Sequence, residues 1–359
     1  MRKKVLSLLA LLLMATTGAV AQTTYTVTVK DGTENAAKWT ADPNPATAGQ
    51  TVTVTYSGTR HVKSVKAVKK AAAADVALDA TSTAWTENST IADDLTISSA
   101  VTVSADITLT IPEGKTLTVN GGINATGYTL TVKGAGTLNV TGTNGANGSG
   151  IHSYMGDYVG NAGDAGSAGF TGTLVIDGAA VNVTGGNGGK GADGENGAGN
   201  GGNGAAGVSG SITVNSGSAT VTGGNGGNVG ATYFDDQPSN GGSGGSGVSG
   251  SVTVGGGSLT VTGGNGGNGG VSGWSGDEPS NGGNGGNGIS GNMTVSGGST
   301  TVAGGAGGSK GRNGSAGSTL QAVGGSITAT DVTAEESDDN STWTAISGTA
   351  STKRYVRAQ

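Results

Sequence analysis

Short segments of alternating apolar and polar residues recur along this chain, and between residues 173 and 303 they return at a nearly constant interval. The aligned valines Val183, Val221, Val261 and Val302 lie 38, 40 and 41 residues apart. A repeat of this length is typical of a solenoid, in which each unit buries its apolar side chains only by stacking on the next unit.

Alignment of the repeats places apolar residues in four columns, and mainly threonine and asparagine between them. The columns are Leu130, Leu174, Ile212, Val252, Met293 and Ile327; Val132, Ile176, Val214, Val254, Val295 and Ala329; Val181, Ala219, Leu259 and Thr300; and Val140, Val183, Val221, Val261 and Val302. Because successive side chains of a strand point to opposite faces, this pattern predicts an all-β chain built as a parallel β-helix, with aliphatic residues inside and threonine outside.

The segment IPEGKTLTVNGGI, followed by YTLTVKGAGTLNVTG, carries a family resemblance. It resembles the first rungs of right-handed parallel β-helices in secreted bacterial carbohydrate-binding and pectate-lyase-like proteins. The resemblance covers roughly Leu95 to Ala334, and its motifs are general to β-solenoids. It therefore implies a fold and does not imply one activity.

Between the strand segments, glycine recurs at every third position. One such series runs outward through Gly264, Gly267, Gly270, Gly273 and Gly276, and returns through Gly282, Gly285, Gly288 and Gly291. A period of three residues matches an extended helix that has no internal hydrogen bonds, so its amides must pair with neighbouring segments. This predicts polyglycine-II-like hairpins that form a slab beside the solenoid. The alternative is a set of flexible glycine-rich loops.

The glycine-rich segments are similar to two kinds of known protein. It resembles the PGRS domains of mycobacterial surface proteins, and the hairpin layout is similar to the polyglycine slabs of phage tail-tip adhesins. The second resemblance implies that receptor-binding loops are displayed from the slab. Neither resemblance identifies a ligand.

The sequence predicts five regions. These are a signal peptide at 1–21, an immunoglobulin-like β-sandwich at 22–70 with Trp39 in its core, the first β-helix rungs at 71–142, glycine-rich repeats with excursions at 143–334, and C-terminal strands at 335–359. The basic residues Arg2, Lys3 and Lys4 precede an apolar run, as in bacterial export signals. We therefore expect a protein that is secreted or held at the cell surface. No later apolar run is long enough to predict a membrane span.

Composition narrows the function further. The chain has 75 glycines in 359 residues, no cysteine, and a net charge of −6 that becomes −9 without the three basic residues of the signal peptide. An acidic protein is a poor partner for nucleic acid. With only two histidines, a histidine-based catalytic triad or zinc site is not expected. The acidic residues Glu335, Glu336, Asp338 and Asp339 could bind calcium, but a solvated turn is favoured. We expect no enzymatic activity, no metal site and no cofactor.

Aromatic and acidic residues gather at the far ends of the excursions, where the glycine period breaks. The candidate ligand-binding residues are Tyr154, Asp157, Tyr158, Tyr233, Phe234, Asp235, Asp236, Trp274, Asp277 and Glu278. A ring can stack on the apolar face of a sugar while carboxylates accept its hydroxyl hydrogens. The alternative is that each ring only caps its own hairpin.

Three functions remain open from the sequence. The first is an exported, non-enzymatic adhesin or carbohydrate-binding protein that presents these tips to a glycan or a cell-surface receptor. The second is a structural or matrix spacer built from repeats. The third is ice binding through the exposed threonine ladders, which is ranked lower because threonine is a common residue on exposed strands.

Overall fold

The structure is a computed structural model that describes residues 75–154, 157–234, 237–270 and 278–359, together with the backbone of five short strands before them. All regular elements in this part of the chain are β-strands. The chain divides into two compact units, Met1–Ala74 and Asp75–Gln359. The signal peptide predicted at 1–21 lies outside the described residues.

The first unit contains short antiparallel pairs. Its strands are β1 (Thr24–Thr28), β2 (Trp39–Asp42), β3 (Ala46–Thr47), β4 (Thr53–Tyr56) and β5 (Lys66–Lys69). Strand β1 pairs with β3 and with β5, and β2 pairs with β4. The side chain of Trp39 lies outside the described residues, so its place in a sandwich core stays a prediction.

The second unit is a mostly parallel assembly of short strands. They are β6 (Val76–Ala77), β7 (Ala84–Trp85), β8 (Ser89–Thr90), β9 (Leu95–Ile97), β10 (Val101–Val103), β11 (Ile107–Thr110), β12 (Thr116–Asn120), β13 (Ile123–Lys133), β14 (Thr137–Thr141), β15 (Ile151–Tyr154), β16 (Asp157–Gly160), β17 (Phe170–Thr184), β18 (Val208–Thr222), β19 (Ser239–Asn240), β20 (Val252–Val254), β21 (Ser258–Thr262), β22 (Ser280–Asn281), β23 (Met293–Val295), β24 (Ser299–Ala303), β25 (Ile327–Ala329), β26 (Ala334–Ser337), β27 (Thr344–Ala345) and β28 (Tyr355–Ala358).

Each turn of the chain contributes to three parallel ladders, which we name faces A, B and C. Face A joins β7, β10 and the first parts of β13, β17 and β18. Face B joins β6, β8, β11, later parts of β13, β17 and β18, and then β20, β23 and β25. Face C joins β9, β12, β14, the ends of β17 and β18, and then β21 and β24. This order, repeated rung after rung, is a parallel β-solenoid.

The register confirms the predicted columns. Leu130 pairs with Leu174, which pairs with Ile212, and the ladder continues in the predicted order to Ile327. The column ending at Val302 is also in register, and the members of both columns are buried. Burial of each such Val, Ile or Leu stabilises the fold by roughly 1.5–3 kcal/mol. A thin aliphatic core that is repeated in every rung therefore contributes much of the stability of the solenoid. Ala329 is the exception in its column, since it is exposed in the last rung.

Glycine serves the solenoid itself at the corner between faces B and C. Gly217 and Gly257 occupy this corner in successive rungs with φ of 83° and 72°. A side chain is strained in this left-handed region, and glycine is not. The corner therefore turns at little cost.

The C-terminal strands cover the last rung. Strand β28 runs antiparallel to both β24 and β26, and its residues Val356 and Ala358 are fully buried. Arg357 forms an ion pair of 2.6 Å with Glu335 and stacks 4.2 Å from the ring centroid of Trp343. A covered end is what a solenoid needs to keep its last rung from exposing a sheet edge.

From residue 142 onward, each rung carries one excursion between face C and the next strand of face A. The outgoing legs are residues 142–150, 185–194, 223–230, 263–270 and 304–311, and the return legs are residues 160–169, 197–207, 239–247, 280–288 and 314–322. Outgoing legs bond to outgoing legs of the next rung, as in Gly145 N–H to Asn187 O at 2.8 Å. The outgoing legs form one layer and the return legs a second. Hydrogen bonds also cross between these layers, as in Gly189 N–H to Asp164 O at 2.8 Å. The excursions are therefore an ordered two-layer slab, as the glycine period predicts.

We number the positions of each triplet from its first glycine, as in Gly185-Gly186-Asn187 and Gly188-Gly189-Lys190. The three positions have different surroundings. A Cβ on the first-position residue Gly188 would overlap the carbonyl oxygen of Gly202 in its own return leg. A Cβ on the second-position residue Gly189 would overlap the carbonyl oxygen of Ala146 in the preceding rung. The third position, such as Asn187, faces solvent. Two glycines and one side chain in most triplets thus follow from a slab that is only two layers thick; Ala192 and Ala205, both in the second rung, are second-position exceptions.

The edges of the slab follow the same rule. The second position packs on the preceding rung, and in the first rung it holds Thr143 and Ala146 on the outgoing leg and Asp164 and Ser167 on the return leg. These legs have no earlier leg to approach, so side chains fit there. The sequence therefore marks where the slab begins.

Asparagine at the third position satisfies the remaining backbone amides. The N–H of Asn225 donates to Oδ1 of Asn187, and the N–H of Asn265 donates to Oδ1 of Asn225, each at 2.8 Å. The same bond recurs along both layers. In the last outgoing leg, Ala306 occupies this position, where no further rung requires an acceptor. We call this series the asparagine ladder.

We expect Gly267→Ala to open the slab locally, because its Cβ would overlap the carbonyl oxygen of Gly227. Each buried amide left unpaired costs roughly 1–3 kcal/mol. The matched control is Ala146→Val, at the same triplet position in the edge leg. Residue-resolved amide exchange should accelerate at Gly267 and Gly283 in the first variant only. Equal effects of the two substitutions would contradict the packing rule.

We expect Asn225→Ala to accelerate exchange of the Asn265 amide and to lower stability by roughly 0.5–1.5 kcal/mol, the net value of one hydrogen bond. Asn225→Asp keeps an acceptor and should leave that amide protected. Lys190→Asn should act in the opposite sense. Lys190 occupies a third position without an acceptor, and it precedes Asn228 in the ladder, so the new amide oxygen should slow exchange at Asn228. If Asn225→Ala and Asn225→Asp behave alike, the ladder contributes nothing.

Candidate functional site

The structure describes only part of the predicted tip residues. Tyr154 and Asp157 pair across the hairpin of β15 and β16, and their side chains lie outside the described residues. Asp235, Asp236, Trp274 and Asp277 also lie outside the described residues. The predictions for these six side chains therefore stay predictions. The four described side chains are those of Tyr158, Tyr233, Phe234 and Glu278.

The described tip residues are exposed. Tyr233 is 70% exposed, Tyr158 50% and Phe234 42%, and Glu278 is also exposed. Phe170, the remaining aromatic residue of the described repeats, is 1% exposed and pairs with Val208 of the next rung. Rings with this exposure are available to a ligand.

A cleft of about 680 Å³ lies at the tips of the first three excursions. It is lined by Ile151 from the first excursion, by Asp193, Gly194 and Glu195 from the second, and by Tyr233 and Phe234 from the third. We call it the tip cleft. The predicted ligand-binding residues include Tyr233 and Phe234 but not the other four, because the prediction selected aromatic rings with the acids beside them and the second excursion has no ring at its tip.

Backbone hydrogen bonds hold these tips together. The N–H of Glu195 donates to Tyr158 O, and the N–H of Phe234 donates to Glu195 O, both at 3.0 Å. The Thr232 hydroxyl, which is almost buried, donates to Phe234 O at 2.6 Å. Backbone hydrogen bonds therefore join the tips of the first three excursions to one another.

Asp193 is both a member of the asparagine ladder and a wall of the tip cleft. Its Oδ1 accepts the N–H of Ala231 at 2.7 Å and a hydrogen bond from Lys190 Nζ at 2.9 Å. The backbone donor, followed by the Lys190 ammonium, lowers the pKa of the Asp193 carboxyl. This side chain is therefore charged near neutral pH. Its Oδ1 is engaged in hydrogen bonds within the fold.

The composition of the tip cleft suits a ligand with both apolar and hydroxyl surfaces. Tyr233 and Phe234 offer exposed rings, and Ile151 adds an aliphatic surface. Glu195 provides a carboxylate that can accept hydrogen bonds. A few polar groups within a mostly apolar cleft are typical of small-molecule sites.

The acidic residues near the C-terminus are engaged in local structure. Asp338 pairs with Lys353 at 2.7 Å, and Glu335 pairs with Arg357. The backbone N–H groups of Thr342 and Ser341 hold the pKa of Asp339 well below its usual value. Among the described residues, no group of three or more His, Cys, Asp or Glu side chains could hold a metal ion. In the same part of the chain, no helix has the length and apolar character needed to cross a membrane.

Comparison with known proteins adds no relative. No protein-family model, no curated protein and no solved structure matches this chain significantly. The resemblance to secreted β-helix proteins therefore extends only to an all-β chain with a long, mostly parallel sheet.

We expect Asp193 to titrate below the value of 3.8 for an unperturbed aspartate. Because its pKa is lower in the folded state, its stabilisation is present above the unfolded pKa and disappears as the pH falls through the folded one. Carbon-detected NMR titration of this carboxyl measures the midpoint. Lys190→Ala should raise the midpoint only in part, since the Ala231 donor remains. An unperturbed midpoint in the unmodified chain would contradict the ladder bond.

Proposed function

We propose that this chain is an exported, non-enzymatic adhesin or carbohydrate-binding protein that presents the tip cleft to a glycan of a cell surface. The observation that carries the proposal is a cleft in which exposed rings and a carboxylate converge at the end of an ordered slab. The resemblance to secreted bacterial carbohydrate-binding β-helix proteins supports the same reading, as does the export signal predicted at 1–21.

The slab supports binding by holding the tips in place before a ligand arrives. Its legs are joined rung to rung and layer to layer by backbone hydrogen bonds. Ordering a loop upon binding costs free energy that a pre-organised site does not spend again. A glycan, which makes individually weak contacts, gains most from such a surface.

The tip cleft does not favour hydrolysis. Glycoside hydrolases use two carboxyl groups, one as acid and one as base or nucleophile. Of the two carboxylates that line the described cleft, Asp193 accepts from Ala231 and Lys190. These bonds lower the pKa of Asp193 and make it a poor proton donor, so the described cleft suits binding better than catalysis.

The first test is a glycan array probed with residues 22–359 and with the double variant Tyr233→Ala/Phe234→Ala. We expect the unmodified chain to capture a defined glycan. We expect the double variant to lose affinity about tenfold or more, because central aromatic residues dominate binding surfaces. The thermal transition should be nearly unchanged, since both rings lie outside the core.

The matched control is Tyr128→Ala, which removes a ring that is 40% exposed on the solenoid. It should bind as the unmodified chain does. No glycan captured by the unmodified chain would contradict the proposal and favour the structural or matrix spacer. A large fall in melting temperature of the double variant would show that the rings are hairpin caps.

A further inference from the structure

A second surface of the molecule has a regular arrangement of uncharged polar side chains. It begins on face C and continues across the outgoing layer of the slab, and we call it the polar grid. Its members, by column, are Asn139, Asn182, Thr220, Thr260 and Thr301; Thr141, Thr184, Thr222, Thr262 and Ala303; Asn144, Asn187, Asn225, Asn265 and Ala306; and Asn147, Lys190, Asn228, Asn268 and Ser309. None of these residues is buried; Lys190 alone is charged, and Ala303 and Ala306 of the last rung are the two members without a polar side chain.

The strand ladder passes into the slab without a break. Thr184 pairs with Thr222, and Thr222 pairs with Thr262, in the register of face C. The next amide of each rung continues the same connection, as in Gly185 N–H to Thr222 O at 2.9 Å. The columns of the grid therefore share one spacing across both kinds of backbone.

The asparagine ladder fixes the orientation of the amides in the outer columns. Oδ1 of Asn187, Asn225 and Asn228 each accepts the backbone N–H of the following rung at 2.8 Å. Within the described residues, the Nδ2 groups of these side chains have no hydrogen-bond partner. The outer columns thus present mainly N–H donors, whose directions are set before any ligand binds.

Neighbouring rungs are ~4.8 Å apart, and successive third positions along a leg are ~9 Å apart. The grid therefore covers roughly 500 Å² over five rungs, from these same spacings. A stable protein interface buries about 800 Å² on each partner, so the grid is small for a dimer of this chain. Its near absence of charge also excludes recognition driven by an ionic ligand.

We propose that the polar grid is a second binding surface, and that its ligand is an uncharged, insoluble polysaccharide fibre. Parallel glycan chains present ether and hydroxyl oxygens as acceptors at regular intervals, which suits a periodic array of donors. Each hydrogen bond contributes little in water, but many formed together in one rigid register add up. The proposal does not rest on the tip cleft.

The test uses a variant that keeps the asparagine ladder but removes donors: Asn187→Asp/Asn228→Asp/Asn265→Asp. Asp193 already fills a ladder position with an aspartate, so the acceptor role survives this change. The three sites are not adjacent in the grid, which limits repulsion between the new charges. The control is Asn200→Asp/Asn203→Asp/Asn284→Asp, which makes the same change on the return layer, where these side chains also accept from the next rung.

Adsorption of residues 22–359 to microcrystalline cellulose and to insoluble β-1,3-glucan is measured by depletion isotherms, with thermal midpoints as a folding check. We expect the unmodified chain to adsorb to at least one fibre and the grid variant to lose affinity at least tenfold. The return-layer control and Tyr233→Ala/Phe234→Ala should stay within twofold.

Four results would overturn the proposal. They are no adsorption of the unmodified chain to either fibre, equal loss in the two aspartate variants, loss of adsorption in the tip variant, and inhibition of ice growth that the grid variant loses. Loss in the tip variant would move fibre binding to the tip cleft. Failure of the glycan array with intact fibre adsorption would leave the grid standing and remove the tip proposal.

Discussion

The fold beyond residue 142 depends on one constraint: an extended leg has no hydrogen-bond partner within itself, so an amide that is shielded from water must be satisfied by another leg or by a side chain. The triplet meets this constraint position by position. The first and second glycines allow close approach to two neighbouring legs, and their N–H groups donate to carbonyls of the next rung and of the other layer. The third N–H donates to an asparagine of the preceding rung.

The solenoid makes this arrangement possible because it delivers one leg per rung at a fixed spacing. Its thin core of valine, isoleucine and leucine sets the register, and the slab inherits that register from face C. The slab in turn brings the tips of neighbouring rungs together. Order in the core is thereby transmitted to side chains, such as Tyr233, that make no contribution to it.

The repeating features of the structure could be predicted from the sequence, but the cleft that residues from different excursions form could not. The apolar columns and the glycine triplets could be predicted because apolar–polar alternation and glycine spacing are local properties of the sequence. Asparagine recurs at the third position of the triplet in the aligned repeats, at Asn187, Asn225 and Asn265. Its role could be recognised only from the structure, which shows that the third-position amide donates to the asparagine of the preceding rung. The tip cleft could not be found this way. Ile151 and Tyr233 are far apart in sequence, and only the stacking of rungs places them in one wall.

The account is tested most directly by residue-resolved amide exchange of the unmodified chain. At the third position of the triplets, the amides of Asn187, Asn225 and Asn265 should be strongly protected, since each donates to the preceding rung. The amides of Asn144 and Asn147 should exchange rapidly, because they have no acceptor in the described part of the chain. Uniformly fast exchange across all five residues would show that the excursions are flexible loops and would contradict the central claim.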